Sequence, residues 1–487
     1  ESQERYVMAI APESLAQFEA FCERERCPFA VIGVATEERE LVLSDNDAPA
    51  PVDMPMNVLL GKPPKMHRDV TSVAQAIKPI DLTGVDLQKS CIDVLSHPTV
   101  ASKRFLITIG DRTVGGMTHR DQMVGPWQVP VADCAVTLAD YQGFGGEAMS
   151  MGERTPLAAV NAAASGRMAV AEAITNLLAA PIELPRVKLS ANWMAACGEP
   201  GQDAALYATV KAVGMELCPA LGVSIPVGKD SLSMRTVWKD DSGEAKKVTS
   251  PVSLIVSAFA TLADVRGTLT PELNTVEADT TLILIDLGRG QMRMGGSILA
   301  QSLNLEDGVV PDLDDPKDLV NLVNAINELR AQGHILAYHD RSDGGLFATA
   351  CEMAFAGHVG VSLNIDMLLL EGDGISDSRM DTGDSKNWAS QVGGRRDELT
   401  LKALFNEELG AVIQVATSAR NDVMQTLRTH GLSKFSHFVG KTRPAHASLE
   451  VGKGEVQVWR DTKAVFKAKL QDLHQVWDAV SWKICQQ

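Results

Sequence analysis

The stretch Ile335-Leu-Ala-Tyr-His-Asp-Arg-Ser-Asp-Gly-Gly-Leu346 decides the class of fold. An apolar run at 335–338 predicts a strand, a polar turn at 343–345 ends it, and residues 346–355 have the length and pattern of a helix. Backbone N–H groups and the dipole at such a helix start favour phosphate, although a plain N-cap in a tight turn gives the same pattern. The stretch predicts a strand, turn and helix beside a candidate anion site.

The same alternation continues on both sides of this stretch. Apolar runs at 105–109, 252–258 and 281–286 predict buried strands, and Ala-rich stretches at 156–180 and 203–217 predict long helices. Strands that alternate with helices indicate an α/β or α+β fold.

A strand, helix and strand pattern occurs twice, near the two ends of the chain, and each copy is followed by one more strand. The first copy comprises 7–10, 12–26, 29–33 and 40–43; the second comprises 412–415, 418–430, 435–440 and 447–451. Either the similarity arises by chance, or the chain opens with the tail of a domain that is intact near its end.

The composition argues against several classes of function. A formal charge of −17 does not suit a nucleic-acid surface, which needs clustered Lys and Arg. No run reaches about 18 apolar residues and no signal-peptide pattern opens the chain, so we expect no membrane span. The 8 cysteines form no Cys-x-x-Cys pair and the 10 histidines no HExxH motif, which argues against zinc and fits a reducing cytoplasm.

Four oxygen-bearing side chains stand in apolar or strand-end contexts: Asp133, Glu172, Asn176 and Asp340. Glu172 and Asn176 are four residues apart, so they share one face of a helix that is otherwise apolar and therefore buried. Buried carboxylates need a partner, and Mg²⁺ prefers oxygen ligands. The alternative is that Glu172 pairs with an arginine and Asn176 bonds to backbone.

Three glycine-containing loops could hold phosphate, at 110–116, 227–231 and 293–297, but none matches a Walker or Rossmann pattern. Lys103, directly before the predicted strand at 105, and Lys229 could neutralise a phosphate. Single lysines of this kind are otherwise surface residues.

Several longer motifs point to one family. They are Gly110–Asp133, Lys188–Met194, Pro226–Ser231, Ala337–Gly345 and Phe405–Gly410, and the opening Glu1–Tyr6 agrees with them. Together they resemble the second synthetase half of formylglycinamide ribonucleotide amidotransferase and the end of its first half. The resemblance covers nearly the whole chain; the polar stretch 371–396 departs from it.

The resemblance implies an aminoimidazole-ribonucleotide-synthetase-like nucleotide-binding domain followed by an α+β domain, preceded by the tail of another copy. The chain is then an internal fragment. The implied segments are 1–48, the remainder of the first C-terminal domain; 49–95, a linker; 96–270, the nucleotide-binding domain; 271–455, the second C-terminal domain with a mobile insertion at 371–396; and 456–487, a helical linker toward an absent glutaminase domain.

The resemblance also implies an activity and a site. The family converts formylglycinamide ribonucleotide, glutamine and ATP to the amidine, glutamate, ADP and phosphate. By position, Ala132 and Ser342 would contact an adenine nucleotide (ATP or ADP), and the four oxygen-bearing residues above would bind Mg²⁺. Lys103, which could neutralise a phosphate, is added to the candidate nucleotide contacts. This nucleotide is auxiliary and structural in the family, and the catalytic residues, the first synthetase half and the glutaminase domain lie outside the chain. We therefore expect the chain alone to be inactive. A related aminoimidazole ribonucleotide or selenophosphate synthetase is the alternative.

Overall fold

The chain forms two structural units, residues 1–69 and 70–487. The computed structural model describes residues 5–65, 67–73, 77–110, 112–113, 115–369, 385–442 and 454–486. Of the stretch 371–396, residues 371–384 fall outside this description, and so does the predicted strand at 447–451. Side chains between 385 and 393 are likewise outside it.

The first unit contains helix α1 (Leu15–Arg24), an antiparallel hairpin of β1 (Glu40–Asp45) and β2 (Ala48–Pro55), and the short helix α2 (Met56–Leu59). The predicted strand at 40–43 is confirmed. The strands predicted at 7–10 and 29–33 are wrong, because neither run meets a hydrogen-bonding neighbour among the described residues. The linker prediction is wrong at 49–55, since β2 pairs with β1 across a turn where Asn46 has a φ of 46°.

The second unit begins with a six-stranded sheet. Its order is β3-β4-β5-β10-β6-β7, and every pair is antiparallel except β6 with β7. The strands are β3 (Thr118–Arg120), β4 (Ala135–Leu138), β5 (Gly146–Glu153), β6 (Lys188–Met194), β7 (Ser224–Ser231) and β10 (Ser253–Leu262), and a separate hairpin joins β8 (Arg235–Lys239) to β9 (Ala245–Thr249). The strand predicted at 252–258 is therefore confirmed.

Helix α6 (Ala162–Leu177) covers one face of this sheet, after the short helix α5 (Thr155–Ala158). Asn161 caps α6 by accepting a hydrogen bond from the Ala164 N–H at 3.1 Å, which explains why the predicted helix at 156–180 is divided in two. Gly152 of β5 lets the helix approach closely, because a Cβ there would lie 2.1 Å from the Ala169 carbonyl oxygen. The sheet therefore holds α6 at a fixed distance.

A second helical run packs beside α6. It comprises α7 (Gln202–Val210), a π-helical segment (Lys211–Leu217) and α8 (Cys218–Leu221). Residues 202–221 are long and apolar enough to cross a membrane by length and composition. One such helix is weak grounds for a membrane span, since helices that pack in protein cores meet the same criterion.

A seven-stranded sheet forms the rest of the second unit. Its order is β12-β14-β11-β15-β13-β16-β17, antiparallel except for β13 with β16. The strands are β11 (Thr280–Asp286), β12 (Ala337–Arg341), β13 (Val361–Asn364), β14 (Gly410–Ala416), β15 (Ser436–Thr442), β16 (Glu455–Arg460) and β17 (Lys463–Lys469). The helices around it are α9 (Ile298–Ser302), α10 (Pro316–Ala331), α11 (Gly345–Gly357), α12 (Ser385–Phe405) and α13 (Arg420–Thr429). Short 3-10 helices lie at Pro12–Ser14, Leu184–Arg186, Val265–Gly267, Asp366–Leu368, Thr417–Ala419 and Ser433–Phe435.

The two sheets share one hydrophobic core. Ile174 of α6, Val256 of β10 and Ile283 of β11 all belong to it and are fully buried. Tyr338 of β12 crosses the same core and donates its hydroxyl hydrogen to the Thr175 carbonyl oxygen at 2.7 Å. This contact joins the seven-stranded sheet directly to α6.

The final segment completes the second unit instead of leaving it. β16 and β17 extend the seven-stranded sheet, and α14 (Leu470–Cys485) packs on α3 (Leu87–Ser96) and α4 (Arg104–Ile109). The prediction of a helical linker at 456–487 is therefore wrong over β16 and β17, whereas its helical part is confirmed by α14. The linker prediction is also wrong over α3. The strand predicted at 105–109 is helix α4, because this run packs against α14 and not against a neighbouring strand.

Candidate functional site

The candidate site lies where the free edge of β12 meets the segment before β4. The side-chain ligand atoms of Asp133, His339 and Asp340 lie within 4.8 Å of one another, and no other such group of three occurs in the described part of the chain. The Asp340 N–H, which faces the edge of the sheet, donates to Asp133 Oδ1 at 3.2 Å. Asp340 lies inside the strand, whereas the sequence placed it after the strand end.

Two carboxylate oxygens of this cluster have no hydrogen-bond partner among the described residues. They are Asp133 Oδ2 and Asp340 Oδ2, and both are buried. Burial and the neighbouring Asp133 carboxylate raise the pKa of Asp340 from 3.8 to about 8, although His339 opposes the shift. Unpaired buried carboxylate oxygens of this kind fit a hard divalent cation such as Mg²⁺.

His339 lies between two carboxylates. Its Nδ1 is 2.7 Å from Asp133 Oδ1, and its Nε2 is 3.0 Å from Glu352 Oε2 on α11. Burial opposes the charged ring, but Asp133 and Glu352 outweigh it and raise the pKa of His339 well above its ordinary value. Sequence reasoning missed His339 and Glu352; the position of His339 directly before Asp340 was the available signal.

Glu172, on α6, contacts an arginine, Arg154. Its Oε1 is 3.7 Å from Arg154 Nη1, and its Oε2 accepts the Glu153 N–H at 2.7 Å. Burial raises the pKa of Glu172 well above its ordinary value, Arg154 opposes this, and Asp343 and Asp340 add to it. Glu172 is therefore within electrostatic range of Asp340, but it has the arginine partner that the sequence left open as an alternative.

Asn176 follows Glu172 by one helical turn and is half-buried. Its Nδ2 donates to the Met151 carbonyl oxygen on β5 at 3.0 Å, which is the backbone contact expected if it binds no metal. The structure thus brings Asp133 and Asp340 together directly. Glu172 and Asn176 lie on the adjoining helix, each with another contact.

Two of the three residues assigned to nucleotide contacts, Ala132 and Ser342, are close to the cluster in sequence. Both are half-buried: Ala132 directly precedes Asp133, and Ser342 closely follows Asp340. Lys103 donates from Nζ to the carbonyl oxygen of Thr99 at 3.0 Å and to that of Ala101. Burial lowers the pKa of Lys103, while Glu352 and Asp343 oppose this, so its ammonium group is close to the acidic cluster.

Arg154 organises a second set of acids beside the cluster. Its side chain is 3% exposed, and it donates to Asp343 Oδ1 at 2.7 Å and to Glu407 Oε2 at 2.6 Å. Glu407 also accepts N–H groups from Ile298 and Gly344, each at 2.8 Å. These bonds fix the starts of α9 and α11, and the quoted motif 405–410 did not reveal this role.

Two protein families match this chain, and the matched regions correspond to the two sheets. A family described as "FGAR-AT PurM_N-like domain" matches residues 102–261. A family described as "AIR synthase related protein, C-terminal domain" matches residues 278–451 and, in addition, residues 1–46. The second match covers both copies of the internal repeat.

Several solved structures share the fold. Thermotoga maritima PurL complexed with FGAR has 13% identity and a TM-score of 0.53, covering 79% of this chain and 53% of that one. T. maritima PurL complexed with ATP has 12% identity and a TM-score of 0.50, covering 79% and 51%. PurLQS from T. maritima has 13% identity and a TM-score of 0.52, again covering 79% and 51%.

At identities this low, these matches show a shared fold and nothing more. The chain spans about half the length of each structure. The matches confirm the expected fold class of α/β and α+β domains like those of aminoimidazole ribonucleotide synthetase. The chain therefore contains a region that matches the FGAR-AT PurM_N-like domain, followed by a region that matches the AIR synthase related C-terminal domain.

Proposed function

We propose that the chain is an internal part of a phosphoribosylformylglycinamidine synthase and that its second unit holds Mg²⁺ with an adenine nucleotide as a structural, non-catalytic site. The observation that carries the proposal is the pair of buried oxygens of Asp133 and Asp340, which have no hydrogen-bond partner in the described part of the chain. The C-terminal-domain family matches 1–46 as well as 278–451, as expected of a chain that starts inside a first copy. The ATP-bound and FGAR-bound PurL structures supply the ligand classes.

In this proposal Mg²⁺ would offset the charges of Asp133 and Asp340 and bridge them to the nucleotide phosphates. Glu172 and Asn176 would complete the oxygen ligands once Glu172 moves from Arg154. The present Glu172–Arg154 contact is a long one of 3.7 Å and is therefore a weak competitor for a cation. Ala132, Ser342 and Lys103 would contact the nucleotide itself.

The role of such a site is stability. A ligand that binds only the folded state raises the free energy of unfolding by RT ln(1 + L/Kd), where L is the concentration of free ligand, without any chemical step. In the parent protein, which would be cytoplasmic, the first synthetase half would supply catalysis and a glutaminase domain would supply ammonia. A separate aminoimidazole ribonucleotide or selenophosphate synthetase is the competing function, and it would require chemistry from this chain alone.

The central test is a titration of thermal stability with Mg-ADP. We expect the wild-type melting temperature to rise, and the rise to be much smaller for Glu172→Ala. Asp312→Ala is the matched control, because Asp312 is also partly buried and pairs with an arginine, Arg167, at 2.6 Å. An equal response from wild type and Glu172→Ala removes Glu172 from the site, and no response from wild type refutes the nucleotide site.

Catalysis is tested separately. The purified chain, supplied with formylglycinamide ribonucleotide, ATP, Mg²⁺ and ammonia, should form no amidine, because the proposed catalytic half is absent. Turnover that co-purifies with the chain and is lost in Asp133→Asn would contradict this and favour an enzyme that is complete in itself.

A further inference from the structure

Asp133 has two differently placed oxygens. Oδ1 is held by His339 Nδ1 at 2.7 Å and by the Asp340 N–H at 3.2 Å, whereas the buried Oδ2 has no partner among the described residues. The Asp133 side chain is fully buried, so solvent does not set its orientation. The contacts on Oδ1 therefore determine the direction in which Oδ2 points.

The His339 ring is itself held at its far side. Nε2 lies 3.0 Å from Glu352 Oε2, so both ring nitrogens face carboxylate oxygens and neither is available to a cation. His339 is therefore a neighbour of the candidate cation site and not a third ligand, although it belongs to the group of three potential ligands.

Helix α11 fixes the position of Glu352. The hydroxyl of Thr349, one turn earlier on the same face, shares its hydrogen between the carbonyl oxygens of Asp340 at 3.2 Å and Gly345 at 3.1 Å. The helix face that carries Glu352 is thus fastened to the strand that carries His339 and Asp340. Glu352, His339 and Asp133 then form a chain that runs from α11 across β12 to the segment before β4.

We propose that Glu352 and His339 are positioning residues, which hold Asp133 so that its Oδ2 faces the cation beside Asp340. The proposal rests on the proposed magnesium site and adds two residues to it. Outer hydrogen-bond partners orient metal ligands in this way, and their loss weakens metal affinity by roughly 10- to 100-fold.

Two conservative substitutions separate positioning from simple electrostatics. Glu352→Gln keeps the length of the side chain and an oxygen that accepts the Nε2 hydrogen, but removes the charge. Glu352→Asp keeps the charge but withdraws the carboxylate by one methylene, so the 3.0 Å contact is lost. Positioning requires Gln to preserve cation binding and Asp to impair it; an electrostatic role requires the reverse.

The experiment measures Mn²⁺, as a spectroscopic substitute for Mg²⁺, by the loss of its free EPR signal on titration with the full chain. We expect Glu352→Asp to bind Mn²⁺ roughly 10-fold or more weakly than wild type, and Glu352→Gln to remain within about 3-fold. Glu328→Asp is the control, because Glu328 contacts His430 Nε2 at 2.8 Å and no second carboxylate pairs with this ring among the described residues. It should bind Mn²⁺ like wild type.

The outcomes are distinct. If Glu352→Asp and wild type bind Mn²⁺ equally, or if Gln impairs binding more than Asp, the positioning role is overturned while the metal site stands. If wild type takes up no Mn²⁺, or Asp133→Asn takes up as much as wild type, the metal site itself fails. The melting temperature of each metal-free variant, compared with that of the control, detects a general loss of folding.

Discussion

Replacing Asp340 by Asn should stabilise the metal-free protein and abolish its stabilisation by Mg²⁺. The wild-type carboxylate is buried beside Asp133, and this environment raises its pKa from 3.8 to about 8. The folded state then binds a proton more tightly than the unfolded state, so the free energy of unfolding falls as the pH rises from about 4 to about 8. The substituted amide carries no charge and can donate a hydrogen bond to Asp133, so this decline disappears in the variant.

The size of the effect follows from the shift in pKa. A change in pKa from 3.8 to about 8 corresponds, above pH 8, to a loss of roughly 6 kcal/mol in the free energy of unfolding, at about 1.4 kcal/mol for each unit of pKa. Relaxation of the surroundings reduces such penalties, so we expect a gain of about 2–3 kcal/mol at pH 8. At pH 4 we expect less than about 0.5 kcal/mol, because the wild-type carboxyl is then protonated in the folded state.

The assay is chemical denaturation of both proteins from pH 4 to pH 9 in EDTA, repeated in Mg-ADP. In EDTA the two stability curves should diverge as the pH rises, and in Mg-ADP only wild type should gain stability. The reasoning is refuted if metal-free Asp340→Asn is less stable than wild type at pH 8, or if both gain equally from Mg-ADP.

Two further predictions concern packing. Gly152→Ala should lower the free energy of unfolding by about 1–3 kcal/mol or more and weaken the response to Mg-ADP, because the new Cβ would meet the backbone of α6, which carries Glu172. Gly214→Ala is the control in the same denaturation assay, because a Cβ at Gly214 meets nothing within 4 Å. Trp477→Ala should lower the free energy of unfolding by roughly 3–5 kcal/mol, since this side chain is buried and donates to the Val100 carbonyl oxygen. Trp482 is exposed, so Trp482→Ala should change the free energy of unfolding by less than about 0.5 kcal/mol. Similar losses for the two tryptophans would contradict the packing of α14.

The elements that the sequence predicted correctly are those whose own residues show a clear pattern. β11 and β14 are mainly apolar runs, as expected of strands buried on both faces, β10 is an apolar run with exposed residues in its second half, and α11 follows a turn that glycine favours. The run that became α4 has the same apolar character. Its state depends on α14, which is more than 360 residues further along the chain, so local preference could not decide it.

The sequence predicted the acidic residues of the site but not the residues that contact them. Asp133 and Asp340 are conspicuous because carboxylates in apolar runs need compensation, and the structure brings them together although they are 207 residues apart. The contacts of Glu352 depend on the side of α11 that faces β12, which a nearly uniformly apolar helix does not reveal. Arg154 is equally unmarked, since burial alone separates it from surface arginines.

The placement of β16, β17 and α14 has a consequence for synthesis on the ribosome. β13 is formed by residues 361–364, but its parallel neighbour β16 is made only some ninety residues later, followed by α14, whose Trp477 covers the early segment at Val100. While the chain is growing, that flank of the sheet and the apolar side of α3 are open to other polypeptides. Chaperone occupancy during translation should therefore persist until residues beyond about 480 have left the exit tunnel, and a stall shortly before that point should yield an aggregation-prone nascent chain.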